Sequence, residues 1–401
     1  MTEVVQKIIR QQLKYIPAEL RCENVIQHSY KCDDCSKKSG KDLIISADVP
    51  KSVINGSYAT PSLISNTLHM KYELKIPAYR QEKEWEKRGL PLSRQTIINW
   101  QEKASEYYLE PLYQLLSKEL KNQPIIHMDE TSYKVIEHVK EKTYYWLACS
   151  SRESDHQIYL YHHSPGRGVS NPPEEFEDYN GFIHCDMWHV YPHIDGAEIV
   201  GCWAHLRRYF HDALPPKGYK KQSISAWAVK QCDRFFTLEQ KWKDLSPADR
   251  LEQRQKILKE KIDKFFDRLH EEAPNAGGKL DKAIRYALKY EKYFRIFLEN
   301  GSLEMSNNRA ERGIKTLVIG RKNWLFSASF KGAHHSGIIL SLMETAKANG
   351  LDAEKYLTFL LSAMPNEKTL SKEILKEYLP WHPAIQEICK RKSKRELLYQ
   401  I

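Results

Sequence analysis

The run Ser306-Asn307-Asn308-Arg309-Ala310-Glu311-Arg312 sets one carboxylate among cations. The run Gly320-Arg321-Lys322-Asn323-Trp324-Leu325-Phe326 follows it closely. From Glu304 to Lys331 the bases are Arg309, Arg312, Lys315, Arg321, Lys322 and Lys331, and the acids are Glu304 and Glu311. An acid on a helix, flanked by bases, suits a metal ion held beside a phosphate-binding surface. Two more carboxylates sit where strand-like stretches end: Asp129 after Pro124-Ile125-Ile126-His127-Met128, and Asp186 after Gly181-Phe182-Ile183-His184-Cys185. If Asp129, Asp186 and Glu311 converge, they could hold two Mg²⁺ (or Mn²⁺) ions about 3.5–4 Å apart, the arrangement that cuts and joins phosphodiesters. The chain has 52 acids, so three chosen among them specify little alone, and a strand-end cap is the commoner use of each aspartate.

The elements that must position these acids can be read from periodicity and caps. Thr60 to Ser117 has a helical pattern. Within it, Pro77–Trp85 forms an amphipathic helix, Gly89 ends it, and Ser93 caps a second helix with Ile97, Ile98 and Trp100 on its apolar side. Helix, glycine turn and capped helix make a helix-turn-helix pattern that would offer Arg94, Gln95 and Asn99 to DNA; an ordinary helical hairpin packed on the next domain fits equally well. Strands are expected at 124–131, 144–149, 156–161, 181–188 and 199–203, with a short helix at Asn171–Tyr179 and another at Ala204–Leu214. Three strands, a helix, a strand, a helix and a strand give the order of a mixed α/β, RNase H-like fold, in which the first and fourth strands are neighbours. Residues 217–300 are charged and helical in period, and we expect an all-helical insertion projecting from a five-stranded sheet. Helices are also expected at Gly332–Asn349 and Ala353–Met364.

The expected division is 1–48, a partial zinc-ribbon-like segment; 49–120, a helical DNA-binding region; 121–216 and 301–365, the two parts of the core; 217–300, the insertion; and 366–401, a basic tail. The tail carries Lys390-Arg391-Lys392-Ser393-Lys394-Arg395, which suits a solvated terminus or a DNA contact. The first segment holds Cys32-Asp33-Asp34-Cys35, half of a zinc knuckle. Cys22 and His28 could complete four ligands at a non-standard spacing, and reduced thiols without zinc are the alternative.

Charge and composition narrow the partners. The net charge of +10 favours a polyanion. No apolar run approaches the roughly 18–20 residues of a membrane span, and the polar start Met1–Gln12 lacks a signal core, so no membrane partner and a cytoplasmic location are expected. Eight scattered cysteines suit reduced thiols.

Together, His127-Met128-Asp129-Glu130-Thr131, Cys185-Asp186, Cys202-Trp203-Ala204-His205-Leu206-Arg207-Arg208-Tyr209-Phe210, Asn307–Arg312 and Gly320–Phe326 resemble the transposases of the insertion sequence 66 family. Pro77–Gln81, Leu92–Thr96, Asn349-Gly350-Leu351 and Leu379-Pro380-Trp381 extend the resemblance over roughly residues 15 to 385. It implies a bacterial DDE-type recombinase with an RNase H-like core, cutting element ends and joining them to target DNA, with Asp129, Asp186 and Glu311 as the metal-binding acids. It also implies element terminal repeats and target DNA as partners, a homo-oligomer on DNA, nucleoid association when bound, and accessory proteins from neighbouring reading frames. Cys202 and His205 match a Cys-x-x-His signature of related transposases, expected to shape the core. Longer members carry a coiled-coil-like helix and a first cysteine pair before the segment matching Tyr15–Leu20, so Cys32 and Cys35 are expected to be the remaining half of a zinc module that binds zinc weakly or not at all. Arg309, Arg312, Arg321 and Lys322 are expected to line a phosphate groove beside Glu311, with Trp324 beneath it or stacking on a base; Trp324 and Phe326 would otherwise be core. A non-catalytic DNA-binding protein with a decayed core, and another RNase H-like nuclease such as a resolvase, are the competing readings.

Overall fold

The structure is a computed structural model that describes residues 19–139, 142–168, 176, 178–216, 223–272 and 276–391. Most of the expected Asn171–Tyr179 helix, the Tyr15–Ala18 part of the first family motif and the basic tail beyond Arg391 lie outside the described residues.

The first elements among the described residues are a small exposed hairpin, β1 (Ser29–Lys31) and β2 (Ile44–Ser46), joined through the short helix α1 (Asp33–Ser39). Sequence periodicity gave no sign of this hairpin, because each strand is three residues long. A helical region follows: α2 (Pro61–Tyr72), α3 (Ala78–Lys87), α4 (Arg94–Ala104) and α5 (Glu110–Lys121). Gly89 takes a positive φ of 83° between α3 and α4, a backbone state open to glycine. Ser93 Oγ then accepts the Thr96 N–H at 3.1 Å and starts α4. Helix α4 runs into α5 through a widened turn at Ser105–Leu109. Pro111 has no N–H to return to the preceding turn, which accounts for the local widening.

Five strands form one mixed sheet: β3 (Ile125–Tyr133), β4 (Thr143–Ser150), β5 (Tyr159–Ser164), β6 (Gly181–Cys185) and β7 (Ala197–Gly201). Their order is β5-β4-β3-β6-β7. The first three strands are antiparallel, while β6 pairs parallel to β3 and β7 parallel to β6. All five expected strands shift in their bounds, and the first runs on to Tyr133, so Asp129 lies inside β3 rather than at its end. The third strand begins at Tyr159, because Gln157 is tied to Ser151 and Ser154 in the preceding turn. The fourth ends at Cys185, where Asp186 Oδ1 accepts the Trp188 N–H and Met187 adopts φ 67°. The fifth ends at Gly201, and Cys202 becomes the residue that starts α6 (Trp203–Asp212).

From 223 to 298 the described residues form α7 (Ile224–Lys241), α8 (Pro247–Gln253), α9 (Lys259–Glu271), α10 (Lys279–Lys289) and α11 (Glu291–Arg295), with a 3₁₀ turn at Ile296–Leu298. They gather round Trp203, whose ring meets Phe235, Phe265, Phe266, Phe294 and Phe297. This cluster joins the sheet through Ile125 and Val200. Two buried arginines anchor its exit. Arg250 donates to the carbonyls of Trp242, Lys243, Leu245 and Gly301, and Arg254 to those of Phe297, Asn300 and Leu303. The segment leading to the acidic helix is therefore fixed by guanidinium forks filling otherwise unpaired carbonyls.

That helix is α12 (Asn308–Trp324), which lies over β3 and β4. Next, α13 (Phe330–Ala348) runs along β5, where Ser341 Oγ and Thr345 Oγ1 accept the N–H groups of Tyr161 and Tyr159. Side chains thus cover an edge that would otherwise offer open pairing groups. The helices α14 (Ala353–Ala363), α15 (Lys372–Glu377) and α16 (Pro383–Cys389) complete the described chain.

Candidate functional site

Strand alternation decides which side chains share the site. His127, Asp129 and Thr131 point to one face of β3, and Met128 and Glu130 to the other. The first face is the one under α12: His127 Nδ1 lies 3.1 Å from Asn307 Oδ1, and Arg321 Nη1 donates to Thr131 Oγ1 at 2.9 Å. In the β3–β6 ladder His127 is opposite His184. The same register, carried two residues on, sets Asp129 opposite Asp186 just past the end of β6. Glu311 enters from the first turn of α12.

The electrostatics agree with that placement. Burial first, then the charges of Glu130, Asp186 and Glu311, push the Asp129 carboxyl up to about 8. Glu130 is pushed up to about 7 by burial and by Asp186, against the opposing pull of Tyr191 and Arg167. Its oxygens take the Tyr191 hydroxyl at 2.8 Å and an Arg167 nitrogen at 3.5 Å. Glu130 thus joins the acidic cluster from the opposite face of β3. Its position beside Asp129 was visible in the sequence, but its burial was not.

A buried polar layer lies beneath the acids. The rings of His127 and His184 stack with centroids 4.3 Å apart. His127 Nε2 lies 3.3 Å from Glu304 Oε1. Burial works against the Glu304 charge, yet the hydrogen bond and charge of His127, with His184 and Arg309 behind it, hold its carboxyl well below the usual range. Glu304 is therefore engaged with His127, while the carboxylate of Glu311 lies 3.4 Å from His205 Nδ1 and its charge still reaches Asp129. Asn307 is fully buried and donates from Nδ2 to the Met128 carbonyl at 2.7 Å, while its backbone N–H meets Cys202 Sγ at 3.1 Å. It ties the start of α12 to both β3 and α6.

Cys202 and His205 stand beside Glu311. Cys202 Sγ, a ring nitrogen of His205 and a carboxylate oxygen of Glu311 all lie within 4.8 Å of one another. Burial raises the Cys202 thiol to about 11 and lowers His205. Arg208 reaches His205 Nε2 at 3.2 Å and Glu311 Oε2 at 3.5 Å.

The expected cationic groove divides in two. Arg312 and Lys322 are exposed. Arg309 donates to the Ser150 carbonyl at 2.6 Å and to Gln157, and Arg321 to Thr131 and the Ser132 carbonyl, so both brace α12 against the sheet. Trp324 is half-buried against Gly320 and meets Tyr72 edge-on at 5.8 Å. Phe326 is exposed, beyond Leu325, which has φ 67°. Arg94, Gln95 and Asn99 are exposed on the first turns of α4, with Gln95 bonded to Asn99 at 2.9 Å, while Ile97 and Trp100 are buried. Cys32 precedes α1 and Cys35 lies in its first turn; Cys35, Cys22 and His28 are exposed. Among the described residues, the group of three or more potential metal-ligand side chains is the one at Cys202. No described helix is long and apolar enough to cross a membrane.

Similarity to known proteins covers nearly all of the same span. Residues 56–335 match the model of the transposase IS66 family, and residues 341–381 match the IS66 C-terminal element. Among similar proteins are the uncharacterized proteins y4hP and y4jD of Sinorhizobium fredii. The first is 24% identical over 400 residues, covering 93% of this chain and 70% of the relative. The second is 24% identical over 394 residues, covering 92% of this chain and 74% of the relative. A third, y4qI of the same organism, is 26% identical over 362 residues, covering 86% of this chain and 66% of its own length. With the family model spanning the sheet, the helical region and the acidic helix, this chain belongs to the IS66 transposase family.

Proposed function

We propose that this protein is a DDE transposase with an RNase H-like core, cleaving DNA strands and transferring them through Asp129, Asp186 and Glu311. The observation that carries this reading is the meeting of two adjacent parallel strands and one helix at a cluster of acids, where burial and like charge push Asp129 up to about 8. The strand order, with the first strand of the sheet beside the fourth, supports the RNase H-like assignment.

The donor set fits a hard divalent ion. Oxygen ligands suit Mg²⁺ or Mn²⁺, and acids that repel one another in a partly buried site are relieved by a cation. Asp129, Asp186 and Glu311 would hold it. With two such ions bound, the attacking water or 3′-hydroxyl is activated and the leaving oxygen stabilised. The chain's own part is positioning: the β3–β6 register fixes two carboxylates, Asn307 fixes the helix that brings the third, Arg312 offers a phosphate contact beside it, and Lys322 another about three turns further along α12.

The test uses duplexes bearing the element's terminal repeats, incubated with the protein and Mg²⁺. Cleavage and strand-joined products are expected, with Asp129→Asn abolishing both while DNA binding persists. Wild-type protein that binds these ends without cutting them would instead support a non-catalytic binder.

A further inference from the structure

We propose that Cys202 Sγ, His205 Nδ1 and Glu311 Oε1 form a binding site for one thiophilic divalent ion, of the Zn²⁺ class, beside the acidic cluster. One ligand atom from each residue lies within 4.8 Å of the other two, and His205 Nδ1 and Glu311 Oε1 are 3.4 Å apart. The three residues bring one sulfur, one nitrogen and one oxygen, the mixed donor set that Zn²⁺ and Co²⁺ accept and Mg²⁺ does not favour.

The site is built around these atoms. The backbone N–H of Asn307 meets Cys202 Sγ at 3.1 Å, and the His205 N–H closes the first turn on the Cys202 carbonyl at 3.1 Å, so the positions of the sulfur and the ring are fixed by the start of α6. His205 Nδ1 and Glu311 Oε1 are buried 3.4 Å apart, and neither has a hydrogen-bond partner among the described residues. Buried polar atoms are seldom left unpaired, and a shared ion satisfies both. Two ligands come from the first turn of α6 and its cap, and the third from the first turn of α12, so the ion would join the two helices. A fourth position is left for water.

Arg208 sets the condition for loading. Its guanidinium donates towards His205 Nε2 at 3.2 Å, which places the ring proton on Nδ1. An ion at Nδ1 needs that proton on Nε2, so Arg208 must turn away. More than half of its side chain is exposed, which leaves it room to do so. On the transposase reading, an ion here also draws Glu311 away from Asp129 and Asp186 and so opposes Mg²⁺ chemistry. The binding site itself does not depend on that reading.

The experiment uses full-length protein with Cys32→Ser and Cys35→Ser, so that the N-terminal thiols cannot answer for the site, and no DNA. Co²⁺ is the probe, read by the thiolate-to-cobalt charge-transfer band in the near ultraviolet. One bound equivalent with that band is expected. Cys202→Ser should abolish the band, and His205→Gln should weaken binding roughly tenfold or more. Arg208→Ala should tighten binding, which a purely structural Cys-x-x-His pair does not predict. Circular dichroism shows whether each variant is folded. Absence of the band in the folded parent, its survival in folded Cys202→Ser, or weaker binding in Arg208→Ala overturns the proposal.

Discussion

Gly313 sits against Leu147 so closely that a Cβ on the glycine would stand 2.6 Å from Leu147 Cδ2. The contact brings α12 down on β4 two residues after Glu311. The Gly313 carbonyl also accepts the Tyr161 hydroxyl at 2.7 Å. Gly313→Ala should therefore lift the acidic helix from the sheet. We expect a loss of about 1–3 kcal/mol, the usual cost of overpacking, seen as a lower urea midpoint with an unchanged slope. On the proposed mechanism, strand cleavage should fall further than stability alone explains. An unchanged midpoint would show that Leu147 yields freely.

The acids predict an unusual pH dependence. Asp129 is pushed up to about 8 and Glu130 up to about 7, whereas unfolded carboxyls titrate near about 4. Between about pH 4 and pH 8 the native state therefore holds protons that the unfolded chain has released. In metal-free buffer these two carboxyls should cost stability as pH rises through that window, while the buried His163, His184, His205 and His335, all held below the ordinary imidazole value, act in the opposite sense below about pH 6.5. Asp129→Asn removes its share, so the variant should melt several degrees higher than wild type near pH 8 and at about the same temperature near pH 4. Mg²⁺ added near pH 8 should stabilise wild type more than the variant. Melting curves of both proteins at three pH values decide this, and a variant that melts no higher than wild type near pH 8 would contradict it.

How far the sequence disclosed this site depended on the kind of interaction. The end of β6 at Asp186 was legible because an apolar run stops there, whereas Asp129 lies inside β3, whose polar second half continues to Tyr133 by pairing with β4. The start of α4 was legible because Gly89 and Ser93 carry local turn and cap chemistry. Glu130 was passed over because strand alternation points it away from Asp129, and nothing in the sequence shows that Tyr191 and Arg167 close around it. Arg309 and Arg321 looked like Arg312 in a basic run. Their carbonyl partners, Ser150 and Ser132, are far away in sequence and become neighbours only when α12 lies on the sheet.

That division among the cations is itself testable. Arg312 and Lys322 are exposed, so replacing both with Ala should leave Tm nearly unchanged and reduce the salt dependence of DNA binding by roughly two units of slope. Arg309→Ala should instead lower stability, since it leaves the Ser150 carbonyl and Gln157 without their charged donor. Salt titrations by fluorescence anisotropy separate the two classes. An unchanged slope in the Arg312/Lys322 double variant removes them from the interface.

The strongest structural dependence should lie outside the acidic cluster, at Arg254. Its guanidinium is fully buried and pairs with both Glu239 oxygens, at 2.8 and 2.7 Å. It also donates to the carbonyls of Phe297, Asn300 and Leu303, the segment that leads through Glu304 and Asn307 into α12. Arg254→Ala strands the partly buried Glu239 carboxylate and three carbonyls, a loss of about 3–5 kcal/mol for breaking such a pair. Arg254→Met keeps the volume but still leaves Glu239 charged, so it should rescue little. Adding Glu239→Gln to Arg254→Met removes that charge and should recover part of the stability, giving a non-additive double-mutant cycle. Equilibrium urea unfolding of the three variants measures the coupling. Additive losses would mean that Arg254 acts through its carbonyl bonds alone, whereas recovery assigns the larger part of its effect to neutralising Glu239 behind the helix that carries Glu311.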